Sequence, residues 1–330
     1  MTTPCFVLIA TSRRDPISTR FDEELSRLGR VAHIDEETMV DLVVTIDEDG
    51  MRVDLAGEDL SDPRGVIFWR IPSEASFDPR FHNIGDNRVL IDHHRSQWRR
   101  MVSGLMLAWE QQGTPVLNPL HALHREERTA QVAMAREVGF RVPRTMLSAL
   151  PTPVGDFLER SGGGVFKHLQ QFHRFDPGSG RYTRSLTERV TATEAVDGLA
   201  GAVPTPVVFQ EEVTGPGELR VVVVGTRCFA ARVPRRPGDH VDIRKGALED
   251  LGATVLELSE EVAARCVALV AAVGLHTASL DLLEGDDGDV TFLDLNPNGI
   301  FHWMDAELGL PIYRAIAEEL AAASMSELAS

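Results

Sequence analysis

The sequence predicts an α/β protein that becomes α+β, with an antiparallel sheet, towards its end. Three observations carry this expectation. The first third holds two short apolar runs, FVLIA at 6–10 and GVIFWR at 65–70, separated by polar segments with helical spacing. In the last third VVFQEEV (207–213), ELRVVVV (218–224) and RCFAARV (227–233) follow one another, the last two joined by Gly225-Thr226 as a hairpin turn. A further apolar pair, TASLDLL (277–283) and VTFLDLN (290–296), flanks the acidic turn EGDDGD.

The elements follow in order. After the first strand, a polar helix runs from about Ser18 to Leu28 and stops at Gly29. The residues before the second strand, with Asp-Glu-Asp-Gly at 47–50, read as a polar hairpin. A long helix spans 88–112, because Leu90, His94, Trp98, Met101, Leu105 and Trp109 recur at three- and four-residue steps and Gly113 ends it. TPVLNP (114–119) leads away as a short strand and turn. A second helix covers 125–139, with FRVPRT (140–145) extended behind it, and SGGG (161–164) precedes the strand VFKH (165–168). FDPGSGR (175–181) reads as a loop dense in turn formers. Ser259 caps a helix that places Glu260 and Glu261 in its first turn and ends at Gly274. An Ala-rich helix closes the chain. Length alone accommodates about two domains, and a first domain boundary falls at the strand and turn of 114–119.

Charge excludes some functions. With 33 basic and 50 acidic residues the net charge is −17. Phosphate neutralisation drives non-specific nucleic-acid binding, so no nucleic-acid partner is expected. Anionic membrane surfaces repel such a chain, and no apolar run approaches a bilayer span. The start, MTTPCFVLIATSRRD, has no basic region before its apolar segment and does not read as a secretory signal. Cys5, Cys228 and Cys266 are far apart in apolar runs, as reduced core thiols of a cytoplasmic protein would be.

Four segments carry chemistry. In LDLL and TFLDLNPNG, Asp281, Asp294 and Asn296 are three oxygen donors on adjacent strands. Asp294 and Asn296, two apart, face the same way. Such hard donors suit magnesium held together with nucleotide phosphates. The bland reading, turn residues of a surface hairpin, fits poorly with the apolar Leu280, Leu282, Phe292, Leu293 and Leu295 around them. Gln210-Glu211-Glu212 at a strand end either holds an adenine amino group or is an exposed edge. Lys167 on an apolar strand meets a phosphate or reaches into water. Arg220, flanked by apolar residues, needs an anionic partner.

Taken in order, the lysine strand, the loop, QEEV, ELRVVVVG and D…DLNPNG resemble the ATP-grasp superfamily over roughly residues 115–315. The QEEV…ELRVVVVG and FLDLNPNG segments read much like the ribosomal-protein glutamate-ligase type. The resemblance implies a pre-ATP-grasp α/β domain at 1–115, a central domain at 116–206 and a C-terminal antiparallel-sheet domain with the metal site at 207–330. It also implies an enzyme that uses ATP to turn a carboxylate into an acyl phosphate, which a nucleophile, usually an amine, then attacks.

GVIFWRIP (65–72), Asn118-Pro119, EERTAQVAMAREVGFRVPRT (126–145), Tyr182-Thr183, Asp242-Ile-Arg244 and NPNG before FHW resemble the peptide-maturing branch. Those graspetide (microviridin-type) macrocyclases join Asp or Glu side chains of a ribosomal precursor peptide to Ser/Thr or Lys side chains. By this likeness Lys167, Glu211 and Val213 face the ATP, and Asp281, Asp294 and Asn296 bind Mg2+. Arg220 and Arg244 meet the transferring phosphate or the substrate carboxylate, with Asp242 orienting nearby. Arg128 stands where a phosphate-contacting lysine is usual, Ile71 where a second arginine is, and Asp294 where glutamate is.

The segment 227–245 carries Arg227, Arg232, Arg235, Arg236, Arg244 and Lys245 against Asp239 and Asp242, a net +4 in an acidic chain. It is either a solvated hairpin edge or a receiver of an acidic peptide, with Arg235 and Arg236 as substrate contacts. The Trp- and Met-rich stripe at 98–109 is either core or a homodimer face. Two other functions remain open: ligation of a free amino acid to a peptide or small acid, and nucleotide binding without chemistry.

Overall fold

A computed structural model describes residues 5–10, 12–69, 88–123, 127–169, 173–176, 181–184, 186–235 and 252–327. The first unit opens with β1 (Cys5–Ile9), α1 (Pro16–Ser26) and β2 (Arg30–Ile34), followed by the meander β3 (Leu42–Asp47), β4 (Gly50–Leu55) and β5 (Glu58–Asp59). Then come β6 (Gly65–Phe68), α2 (Arg88–Gln111) and β7 (Val116–Leu117). β2, β1, β6 and β7 form a parallel sheet in that order. Phe6, Val7, Leu8 and Ile9 are all fully buried, as a strand covered on both faces requires. Asp15 caps α1 by accepting from the Ile17 N–H at 2.9 Å, and Pro16 needs no partner at the first helical position. The stripe of α2 is core: Val102, Leu105, Met106 and Trp109 are buried beneath the first sheet. Trp98 and Met101 pack partly buried against the same core.

α3 (Leu120–Leu123) and α4 (Arg128–Glu137) lead to a central unit: β8 (Thr145–Ser148), α5 (Pro151–Ser161), β9 (Gly164–Lys167), β10 (His173–Asp176), β11 (Arg181–Arg184), β12 (Glu188–Val190), α6 (Ala192–Ala200) and β13 (Val207–Gln210). β12, β9, β13 and β8 make an antiparallel sheet. The flanks of the expected 175–181 loop instead pair as the hairpin β10–β11. Two helices absent from the sequence reading appear here. Pro153 and Gly155 obscure α5, whose chain turns out through Gly162 at φ 71°. A reciprocal Thr191/Glu194 capping box starts α6.

The last unit runs β14 (Gly217–Val224), β15 (Arg227–Pro234), β16 (Thr254–Leu256), α7 (Glu260–Val273), β17 (Thr277–Glu284), β18 (Val290–Asn296), α8 (His302–Ala306) and α9 (Ile312–Glu327). Its antiparallel sheet has the order β16-β15-β14-β17-β18. Among the described residues no helix is long and apolar enough to cross a membrane.

The cores show how the units combine. Phe6, Leu8 and Trp69 share one cluster with Val222, Val224 and the α9 residues Ile312, Tyr313 and Ile316, so the first and last units are fused through α9. α7 covers the other face of the last sheet, with Ala135 of α4 and Phe140 joining it. Val154, Phe157, Leu158, Ala195, Val207 and Phe209 form a separate cluster whose buried members all come from the central unit.

Candidate functional site

A row of charged side chains crosses the last sheet. Arg220 on β14 is in register with Asp281 on β17, and its Nε donates to Asp281 Oδ1 at 2.7 Å. Asp281 stands directly opposite Asp294 on β18. Arg128, at the start of α4, reaches over the sheet edge to Asp294 Oδ1 at 3.0 Å. The order is cation, anion, anion, cation. Two carboxylates opposite each other on neighbouring strands repel, and the two guanidinium groups offset that repulsion from the flanks.

The register explains how Asp294 comes to face Asp281. Pairing runs Ser279–Asn296, Leu280–Leu295 and Asp281–Asp294, then shifts by one so that Leu282 pairs with Phe292. Leu293 is the extra residue of a β-bulge. Phe292 and Leu295 thus both enter the α7 core, although their spacing would put them on opposite faces of a regular strand. Asp294 and Asn296 are turned to the other face. Asn296 Oδ1 accepts from the Asn298 N–H at 2.9 Å, which orients its amide at the first turn of NPNG. Gly299 closes that turn against Ser279, since a Cβ there would lie 2.4 Å from the Ser279 side chain.

Two carboxylates and an amide oxygen on one partly exposed face form a hard donor set of the kind magnesium takes. Arg128 and Arg220 are placed beside it, where a phosphate would add negative charge.

The remaining expected residues lie elsewhere. Lys167 ends β9 in register with Val208. It therefore sits on the sheet face opposite Phe166 and Phe209, the face that packs against α5 and α6. Glu211 and Val213 follow β13 on the linker to the last unit, both half-buried. Glu211 accepts from the Arg144 N–H at 2.9 Å through Oε1, while its own N–H donates to the Arg144 carbonyl at 3.0 Å. Glu212 holds Arg189 through two-pronged contacts of 2.8–2.9 Å.

Arg235 is largely buried against Glu218 at 3.4 Å, two residues along β14 from Arg220. Arg232 pairs with Glu284 and Arg227 with Glu318, each at 2.7 Å. A charge count along 227–245 missed these partners because they lie across the sheet or on α9, so three of the six cations counted as free are neutralised. Arg236, Asp242 and Arg244 lie outside the described residues. Gln131 escaped the sequence reading. It is buried on α4, one turn after Arg128, and hydrogen-bonds the backbone of Leu295. A polar residue four positions before the buried Ala135, on the helix's apolar face, was the available signal.

The three cysteines are free thiols, and burial pushes their pKa up to about 11 for Cys5 and Cys228 and about 12 for Cys266. None is a thiolate nucleophile at neutral pH.

Solved structures share this architecture. The macrocyclase MdnC bound with precursor peptide MdnA, from Microcystis aeruginosa MRC, matches with TM-score 0.81 and 21% identity over 96% of this chain and 98% of that one. The ATP-grasp ligase PsnB, complexed with a phosphomimetic variant of a minimal precursor, Mg and ADP, matches at 0.77 and 23% over 97% and 98%. A RiPP-associated ATP-grasp ligase of Chryseobacterium gregarium, in complex with ADP and a leader and core peptide, matches at 0.81 and 18% over 97% of each chain. The chain has the ATP-grasp fold. No family model and no curated protein matches the sequence.

Proposed function

We propose that this protein is an ATP- and magnesium-dependent ligase acting on a ribosomal precursor peptide. It activates Asp or Glu side chains as acyl phosphates and joins them to Ser/Thr or Lys side chains, closing ester or amide macrocycles. The observation that carries the reading is the row Arg220–Asp281–Asp294–Arg128 on the last sheet of an ATP-grasp fold. Support comes from the solved structures with the same architecture, whose complexes hold precursor peptides, Mg and ADP.

In this reading Asp281, Asp294 and Asn296 hold the cation, which neutralises phosphate charge when bound. Arg220 and Arg128 face the phosphates, offsetting charge that builds on the transferring group. Lys167, Glu211 and Val213 line the nucleotide from the central unit and its linker. Arg244, Asp242, Arg235 and Arg236 attend the substrate side, Arg235 acting through Glu218. Catalysis is positional and electrostatic. The three functional divisions are the first unit, the central unit with its own core, and the last unit with the charged row. Protonated, unbridged thiols suit the reducing cytoplasm.

The test is incubation of the protein with ATP, Mg2+ and the acidic peptide encoded beside its gene, read by mass spectrometry. Loss of one water per link is the expected result. A gain of one amino-acid residue would move the protein to free amino-acid ligation. ATP binding with no ADP release would leave a nucleotide-binding protein without chemistry.

A further inference from the structure

β18 is the edge strand of the last sheet, and it carries both Asp294 and Asn296. An edge strand with a bulge twists more readily than a paired one. Its outer side is nevertheless held at two points. The Phe292 N–H donates to the Arg141 carbonyl at 2.9 Å. On the other side of the bulge, Gln131 Nε2 donates to the Leu295 carbonyl at 2.7 Å, and Gln131 Oε1 accepts from the Leu295 N–H at 3.2 Å. One side-chain amide thus takes the place of a neighbouring strand at a single residue. That residue lies between the two oxygen donors, and Gln131 is only 5% exposed.

The same helix face delivers Arg128, three residues earlier, to Asp294. Fixing α4 through Gln131 therefore fixes two things together: the orientation of Asp294 and Asn296, and the approach of Arg128. We infer that Gln131 is the positioning residue of the cation and phosphate site, the device that holds an irregular edge strand in ligating geometry. The inference rests on the functional reading above.

The test measures Mg2+·ADP binding by isothermal titration calorimetry, together with the thermal unfolding midpoint. Gln131→Met keeps similar length and removes both hydrogen bonds. Val290→Ala, in the same strand and buried in the α7 core, is the comparison, because it lowers stability without touching Leu295. Gln131→Met should weaken binding by about tenfold or more, the range seen for residues that support metal ligands. Val290→Ala should leave binding essentially unchanged at an equal or larger loss of melting temperature. Unchanged affinity in Gln131→Met, or equal weakening in both variants, overturns the inference while leaving the functional reading intact. A wild-type protein that binds no Mg2+·ADP overturns the functional reading and this inference with it.

Discussion

The two ends of the β17–β18 hairpin use the same residue types to opposite effect. At the turn, Asp287 and Asp289 are held by Arg141 at 2.7 and 3.1 Å, and Asp289 also takes Arg265 at 2.9 Å and the Val290 N–H at 2.8 Å. Arg141 holds the Asp287 carboxyl below its usual range. Burial alone would raise Asp289, but the Val290 N–H and Arg265 outweigh it and bring it down as well. At the open end, Asp281 and Asp294 oppose each other, with Arg220 on Asp281 and Arg128 on Asp294. An acidic cluster whose oxygens are saturated by fixed donors closes a turn. One whose carboxylates share a face is, in the proposed reading, the one that holds a cation.

Substitutions should separate the ends. The largest effect is expected from Asp294→Ala or Asp281→Ala. Either should weaken Mg2+·ADP binding by more than about 100-fold, since even supporting residues around metals are worth about 10–100-fold. Calorimetry checks this, and a variant that binds normally breaks the comparison. Arg220→Met comes next: turnover of the precursor peptide should fall by about 100-fold, as for loss of one charge-stabilising donor. Mg2+·ADP affinity should change far less, and a single-turnover mass assay beside the titration reads the difference.

At the turn the effects should be on stability alone. Arg265→Ala removes the pair with Asp289 and the bond to the Gly139 carbonyl. About 1 kcal/mol should be lost in urea unfolding, with nucleotide binding intact. The smallest effect concerns pH. A carboxyl whose folded pKa is depressed stabilises above its unfolded value and loses that contribution as pH falls through the folded one. The stability gap between wild type and Asp289→Asn should therefore be widest near neutrality and close below about pH 4, near the unfolded carboxylate value. A gap that stays constant with pH would show that Asp289 acts only through its shape.

Much of this was legible in the chain. Apolar runs joined by the turn residues Gly225-Thr226 and EGDDGD exposed the hairpins at 218–233 and 277–296, and the two-residue spacing of Asp294 and Asn296 put them on one face. The bulge was not legible, because Phe292, Asp294 and Asn296 share a parity that only the pairing partner breaks. Gln131 was hidden for a related reason: its partner is backbone, and backbone acceptors leave no residue-type signature. Arg235 read as a free cation because Glu218, seventeen positions away, is adjacent only once β14 and β15 pair. Helix α5 stayed hidden behind Pro153 and Gly155.

Arg144 and Glu211, 67 residues apart in sequence, are hydrogen-bonded neighbours in space. The described strands between them pair only with one another, as a four-stranded sheet and the β10–β11 hairpin, and form their own core, while the buried members of the other three clusters come only from outside that stretch. In topological terms, residues 145–210 are an insertion entering and leaving the body through one doorway. The body's chain path is already continuous at that doorway, so the stretch is one a gene could gain, lose or exchange without rethreading the rest.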